Sequence, residues 1–137
     1  MTIPGAMPRV RLVPLLLPAV LAAGCATSAD RDQARTAAQR LYVAAQRHDG
    51  QTACAQMSPS LRAQLVSDQG SPCAKAAAGL RLQGTRVATV RVYADAAVVR
   101  FRGGDTVFLG DTREGWRVDA LGCRPNGPGP YDCQEQA

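Results

Sequence analysis

A chain of 137 residues allows one domain with one core. Its net charge of +5 comes from fifteen arginines and one lysine set against eleven acidic residues. The arginines are spread along the chain, and only Tyr93 and Phe101 among the aromatics lie near a basic cluster, so the charge describes a solvated mixed surface and argues against nucleic acid as a partner. The 24 alanines and the arginine-over-lysine bias are what GC-rich codons produce.

In chain order, the first segment is "MPRVRLVPLLLPAVLAAGC", starting at Met7, an alternative start to Met1. Arg9 and Arg11 form a positive n-region ahead of an uncharged apolar run of twelve residues, 12–23. At about 1.5 Å per residue, that run is too short to span a hydrocarbon core of about 30 Å as a helix. Pro14 and Pro18 interrupt it. Ala22, Ala23 and Gly24 then supply the small residues a cleavage site requires, directly before Cys25. The "LAAGC" of residues 21–25 resembles the lipobox of bacterial lipoproteins, although Ala22 stands at the −3 position where leucine is commonest. The resemblance implies that a diacylglycerol joins the Cys25 thiol and that cleavage leaves this residue first. Further palmitate-type chains would then hold the protein at the outer face of the cytoplasmic membrane. Each buried CH₂ adds about 0.8 kcal/mol, so two or more chains anchor stably. An ordinary secretory signal with an unmodified cysteine is the alternative. Residues 1–24 are thus expected as a signal peptide, 25–31 as a short tether and 32–137 as a single domain. With residues 1–24 removed, fourteen basic and eleven acidic residues remain.

Lipidation of Cys25 leaves Cys54, Cys73, Cys123 and Cys133. Export places them where disulfides persist. Four cysteines allow three pairings, and near neighbours in sequence meet most readily, which favours Cys54–Cys73 and Cys123–Cys133. Neither spacing is a zinc knuckle and there is one histidine, so no metal or other cofactor is expected.

A helix is expected to begin at an Asp30 cap, with Gln33 completing a capping box. Ala34, Ala38, Leu41, Ala45 and His48 make one stripe, and Gly50 ends it. A short helix then carries Cys54. Ser58-Pro59 starts another, with a Leu61–Leu65 pair inward, and Ser71-Pro72 starts a fourth that Gly79 stops. From residue 84 the period becomes two. Ala88, Val90 and Val92, then Ala97, Val99 and Phe101, then Val107 and Leu109, then Trp116, Val118 and Ala120 read as the inward faces of four strands. Gly103-Gly104 reads as a two-residue hairpin turn. Tyr131 is placed to cover the edge or end of the sheet once the tail is stapled.

Helices followed by a meander argue an α+β fold, with the N-terminal helices on one face of a curved four-stranded antiparallel sheet and two disulfides. The order resembles the cone-shaped, cystatin-like fold of nuclear-transport-factor-like and ketosteroid-isomerase-like proteins. "LYVAAQRHDGQTACAQMSPSLRAQL" and "GWRVDALGCRPNGPGPYDC" resemble segments of small uncharacterised actinobacterial lipoproteins. That resemblance covers roughly residues 32–133 and implies an envelope location without a defined activity. Tyr42, His48, Tyr93 and Trp116 are the candidates for a pocket, whereas Arg100 and Asp119 fall on the faces opposite the core. No catalytic set or nucleotide fingerprint occurs. The expectation is a lipid-anchored, non-catalytic binding or interaction module for an envelope protein or small ligand. The alternatives are a cone-fold small-molecule binder or enzyme using the concave face of the sheet, and an assembly partner of another envelope protein.

Overall fold

The computed structural model describes residues 26–137, together with isolated positions 2 and 5. Cys25 and the signal segment therefore lie outside the described residues. Four helices, α1 (Ser28–Gln46), α2 (Gly50–Ala55), α3 (Pro59–Gln69) and α4 (Cys73–Ala78), precede five strands. These are β1 (Val87–Tyr93), β2 (Ala96–Phe101), β3 (Thr106–Thr112), β4 (Gly115–Cys123) and β5 (Glu135–Gln136), antiparallel in the order β1-β2-β3-β4-β5. The fold is α+β, and the disulfides are Cys54–Cys73 and Cys123–Cys133. Among the described residues, no helix is long and apolar enough to cross a membrane.

Local chemistry explains where the helices start and stop. Thr27, not Asp30, caps α1: its Oγ1 accepts from the Asp30 N–H at 3.2 Å while the Asp30 carboxylate accepts from the Thr27 N–H at 2.8 Å. Asp30 is thus the reciprocal member of the capping box. Helix takes most of the expected tether, of whose described residues only 26 and 27 precede it. At the other end the stripe stops before His48. The His48 and Asp49 N–H groups donate to the carbonyls of Ala45 and Ala44 at 3.0 and 2.8 Å, with His48 at φ 59°. This is a Schellman stop. Gly50 does not end α1. It opens α2, where a Cβ would overlap the Ala74 carbonyl, so glycine lets α2 and α4 meet at the Cys54–Cys73 bond. Ser58 caps α3 as expected, accepting from the Leu61 N–H at 3.2 Å, and Leu61 and Leu65 are buried. α4 begins one residue later than expected, because Pro72 is extended and occupies the cap itself.

The helices cover one face of the sheet. Ala34, Ala38, Leu41 and Tyr42 of α1 join Ala97, Val99, Phe101, Val107, Leu109, Trp116 and Val118 in one buried cluster. Two expected inward residues are displaced by β-bulges, which shift the alternation by one. Between Val87 and Thr89 the β1 register slips, so Val87 faces the core and Ala88 is exposed. In β4 the pairing jumps from Leu109↔Val118 to Phe108↔Ala120, which loops out Asp119. Leu121 becomes the buried residue and Ala120 turns outward beside Phe108. The β2–β3 connection spans residues 102–105 rather than the Gly-Gly pair alone, because Asp105 is drawn inward.

The sheet has a fifth strand where four were expected. β5 pairs Leu121 with Glu135 and Ala120 with Gln136, directly after the Cys123–Cys133 staple returns the tail. Tyr131 packs on the outer face rather than on the edge or end: its ring meets Phe108 edge-on at 5.2 Å and its hydroxyl accepts from Arg100 at 2.9 Å.

Candidate functional site

Distant segments of the chain converge on Asp105, which is fully buried. Its N–H donates to the Gln83 carbonyl at 2.8 Å, and its carbonyl accepts from the Phe101 N–H at 2.9 Å. Carboxylate Oδ2 accepts from the Gln83 N–H at 2.9 Å and from the Tyr42 hydroxyl at 3.3 Å. Oδ1 faces Arg124 Nε at 3.6 Å, an ion pair without a hydrogen bond. The Tyr42 oxygen accepts from the Gly122 N–H at 3.0 Å, and its ring stacks on Phe101 with centroids 4.3 Å apart. A buried carboxylate persists only with donors of this kind. Burial pushes the Tyr42 phenol far up. The Gly122 N–H opposes that shift and the Asp105 charge adds to it. Tyr42 is therefore a neutral donor and acceptor, not a source of phenolate.

One cleft borders this cluster and a second adjoins the first. The first, of about 400 Å³, is lined by Arg81, Gln83, Gly122, Arg124 and the tail residues from Asp132 to Gln134. The other, of about 410 Å³, runs beside α4 and includes Lys75, Arg81 and Glu135. Gln134 borders both, its amide donating to the Arg81 carbonyl at 2.6 Å. Burial raises the Glu135 carboxyl above its usual range; a hydrogen bond from Gln69 opposes this and Asp68 adds to it.

The expected pocket residues do not gather at one cavity. Tyr42 is sealed in the Asp105 cluster. His48 is exposed on the α1–α2 turn, with Nδ1 2.9 Å from the Ala78 carbonyl. Tyr93 is 56% exposed at the end of β1. Trp116 is in the core, where Nε1 donates to Asp30 at 3.4 Å, and it borders a cleft of about 290 Å³ between α1 and the β3–β4 turn. The inner face of the sheet is filled by α1, so Val99, Val107 and Val118 are fully buried. Arg100 is exposed on the outer face, and Asp119 lies against Gly110 there, where a Cβ would come within 2.6 Å of its Oδ2. Among the described residues, no three His, Cys, Asp or Glu side chains converge in a way that would hold a metal.

Asp105 and Arg124 were invisible as a pair in the sequence. Asp105 follows Gly103-Gly104 and reads as a turn residue; Arg124 reads as one more surface cation. The sole sequence cue was an acidic residue placed directly against the period-two run that begins at Thr106.

Compared with protein-family models, curated proteins and solved structures, the chain matches none of them.

Proposed function

We propose that this chain is an exported lipoprotein, anchored through Cys25 at the outer face of a bacterial cytoplasmic membrane, whose α+β domain is a non-catalytic interaction module. The observation that carries this reading is the junction between anchor and fold. Helix α1 is capped at Thr27, two residues beyond the lipobox-like cysteine. At most about 3.6 Å per residue separates them, so a lipidated domain would sit directly on the membrane. The cone-like curvature and the kinship with nuclear-transport-factor-like lipoproteins belong to the same proposal and are supported by the helix-then-meander order. The groups best suited to proton transfer are engaged elsewhere: His48 contacts a carbonyl, and Tyr42 and Asp105 are closed in the core.

Intact mass of the mature chain tests the anchor. A diacylglycerol adduct at Cys25 that disappears in Cys25→Ser supports it; an unmodified Cys25 sinks it.

One observation favours a small-molecule binder or enzyme instead: the Tyr42–Asp105 pair, of the type a cone-fold active site uses to bind an oxyanion. Both groups are 1% exposed or less, so a substrate would first have to displace α1. Turnover abolished by Tyr42→Phe in a folded protein would favour that reading.

A further inference from the structure

The two edges of the sheet are treated differently. On the β4 side the edge is closed twice. Residues 56–58 pair with Val118, the Ser58 N–H donating to its carbonyl at 2.9 Å and its N–H donating to Gln56 at 2.8 Å. β5 then covers Ala120 and Leu121. On the other side nothing follows β1 in the strand order. Among the described residues, no backbone group of Val87–Tyr93 hydrogen-bonds outside the pairing with β2. An unpaired edge of this kind is a template for another strand.

The side chains along this edge have a definite chemistry. Val87, Val90 and Val92 point inward but are only partly buried, because no further strand covers them. On the outside, Arg91 is exposed, whereas Arg100 of β2, opposite Thr89, turns its guanidinium away to Tyr131. Arg102 donates its N–H to the Arg86 carbonyl at 2.8 Å, which sets two more exposed arginines beside the start of the strand. Among the described residues, no carboxylate lies within 4.0 Å of the Arg86, Arg91 or Arg102 guanidinium groups. Arginines and a bulge at Ala88 guard the edge against a second copy of the chain, since β1 paired with β1 would set the same cations against one another. They do not guard it against a strand of opposite charge.

We infer that the open edge of β1, with Arg86, Arg91 and Arg102 beside it, is a docking strand for an extended acidic segment of a partner protein. Main-chain hydrogen bonds to β1 supply the attachment. Apolar residues at alternate positions of the segment complete the cover over Val87, Val90 and Val92, and carboxylates at the intervening positions meet the arginines. This deepens the interaction-module reading and rests on it.

The test uses the chain purified as the cell makes it and a synthetic peptide alternating valine with glutamate over the seven-residue length of β1. Amide signals of residues 87–93 shift and gain exchange protection when the peptide is added. Affinity falls about tenfold when the glutamates become glutamine, or when the protein carries Arg91→Glu. A peptide methylated at its backbone nitrogens fails to bind, which separates strand addition from simple ion pairing and needs no protein variant. Absence of binding overturns the inference, as does binding indifferent to charge or self-association of the chain through β1. Perturbations mapped to another face overturn the docking strand and leave the interaction module standing. Binding at β1 by a chain with no lipid on Cys25 keeps the strand and sinks the anchored reading.

Discussion

The Tyr42 hydroxyl donates to the Asp105 carboxylate at 3.3 Å across 63 residues of sequence, and so locks α1 to the β2–β3 loop. The same oxygen accepts from Gly122 on β4, and the same carboxylate accepts from the Gln83 N–H, so two side chains hold four segments together. Removing a member of such a network costs more than its own bonds, because the partners stay buried and unpaired. Asp105→Ala should lower unfolding stability by about 3 kcal/mol or more and Tyr42→Phe by about 1–3 kcal/mol. Arg124 is 59% exposed, so water screens its attraction, and Arg124→Ala should cost no more than about 1 kcal/mol. Urea midpoints rank the three. An Arg124→Ala loss as large as that of Asp105→Ala would refute the assignment of the Gln83 and Tyr42 bonds as the main support.

The disulfides should differ in what they protect. Their cysteines are 19 and 10 residues apart, and the chain-entropy model gives each about 3 kcal/mol. Cys133→Ala is expected to release β5, so the Gln136 amide exchanges early while the core strands stay protected. Cys73→Ala is expected to loosen α2 against α4 and to leave β5 protected. Residue-resolved hydrogen exchange separates the two patterns.

Gly50→Ala places a methyl group against the Ala74 backbone carbonyl, where no side chain can rotate away. Overpacking of this kind costs about 1–3 kcal/mol. Gly70→Ala is the contrasting variant: its Cβ meets nothing within 4 Å, and its cost is the left-handed φ of 59°. Thermal unfolding of both should show Gly50→Ala as the more damaging.

Acid should act on the fold in opposite directions at different carboxyls. Backbone and side-chain hydrogen bonds from Thr27 hold Asp30 below its usual range, and bonds from Thr52 do the same for Asp49. Stability from these caps is present above the unfolded carboxyl range and is lost as pH falls through the lower folded values. Glu135 is the reverse case, its carboxyl raised by burial. The folded state keeps its proton longer, so Glu135 weakens the fold as pH rises from its unfolded value through its folded one. Glu135→Gln should therefore stabilise at neutral pH and lose that advantage in acid. Urea midpoints across the carboxyl range check this; a constant difference between the two proteins would contradict it.

What the sequence made legible was what neighbouring residues decide. Ser58-Pro59 caps α3 because a hydroxyl three residues from an N–H needs no distant partner. Cys123 and Cys133 join because the turn-forming chain between them, residues 124–132, brings them together. Val99 and Val107 face inward because alternation places them there. The missed features each depend on a distant partner. The bulge at Asp119 is invisible in a period-two reading, yet it moves Ala120 out and Leu121 in. β5 is two residues long, too short for any periodicity, and exists because β4 offers it an edge. Asp105 looks like turn chemistry until Tyr42 and Gln83 surround it. Tyr42, His48, Tyr93 and Trp116 were grouped by residue type, and the fold sets them in different surroundings: Tyr42 and Trp116 are buried with separate partners, whereas His48 and Tyr93 are exposed.

The bond from Trp116 to Asp30 gives the molecule two poles. It fastens the first turn of α1 beside the β3–β4 turn, while Gln46 at the far end donates to the carbonyls of Leu82 and Gly84. The 19 residues of α1 make a strut of about 28 Å between them. An anchor on Cys25, as proposed above, would pull at one pole, and the Asp105 cluster caps the other. Load on the first turn of α1 would therefore enter β4 at Trp116 as well as pass down the strut, and β4 is the strand along which the tail returns, the Ala137 N–H donating to the Asp119 carbonyl.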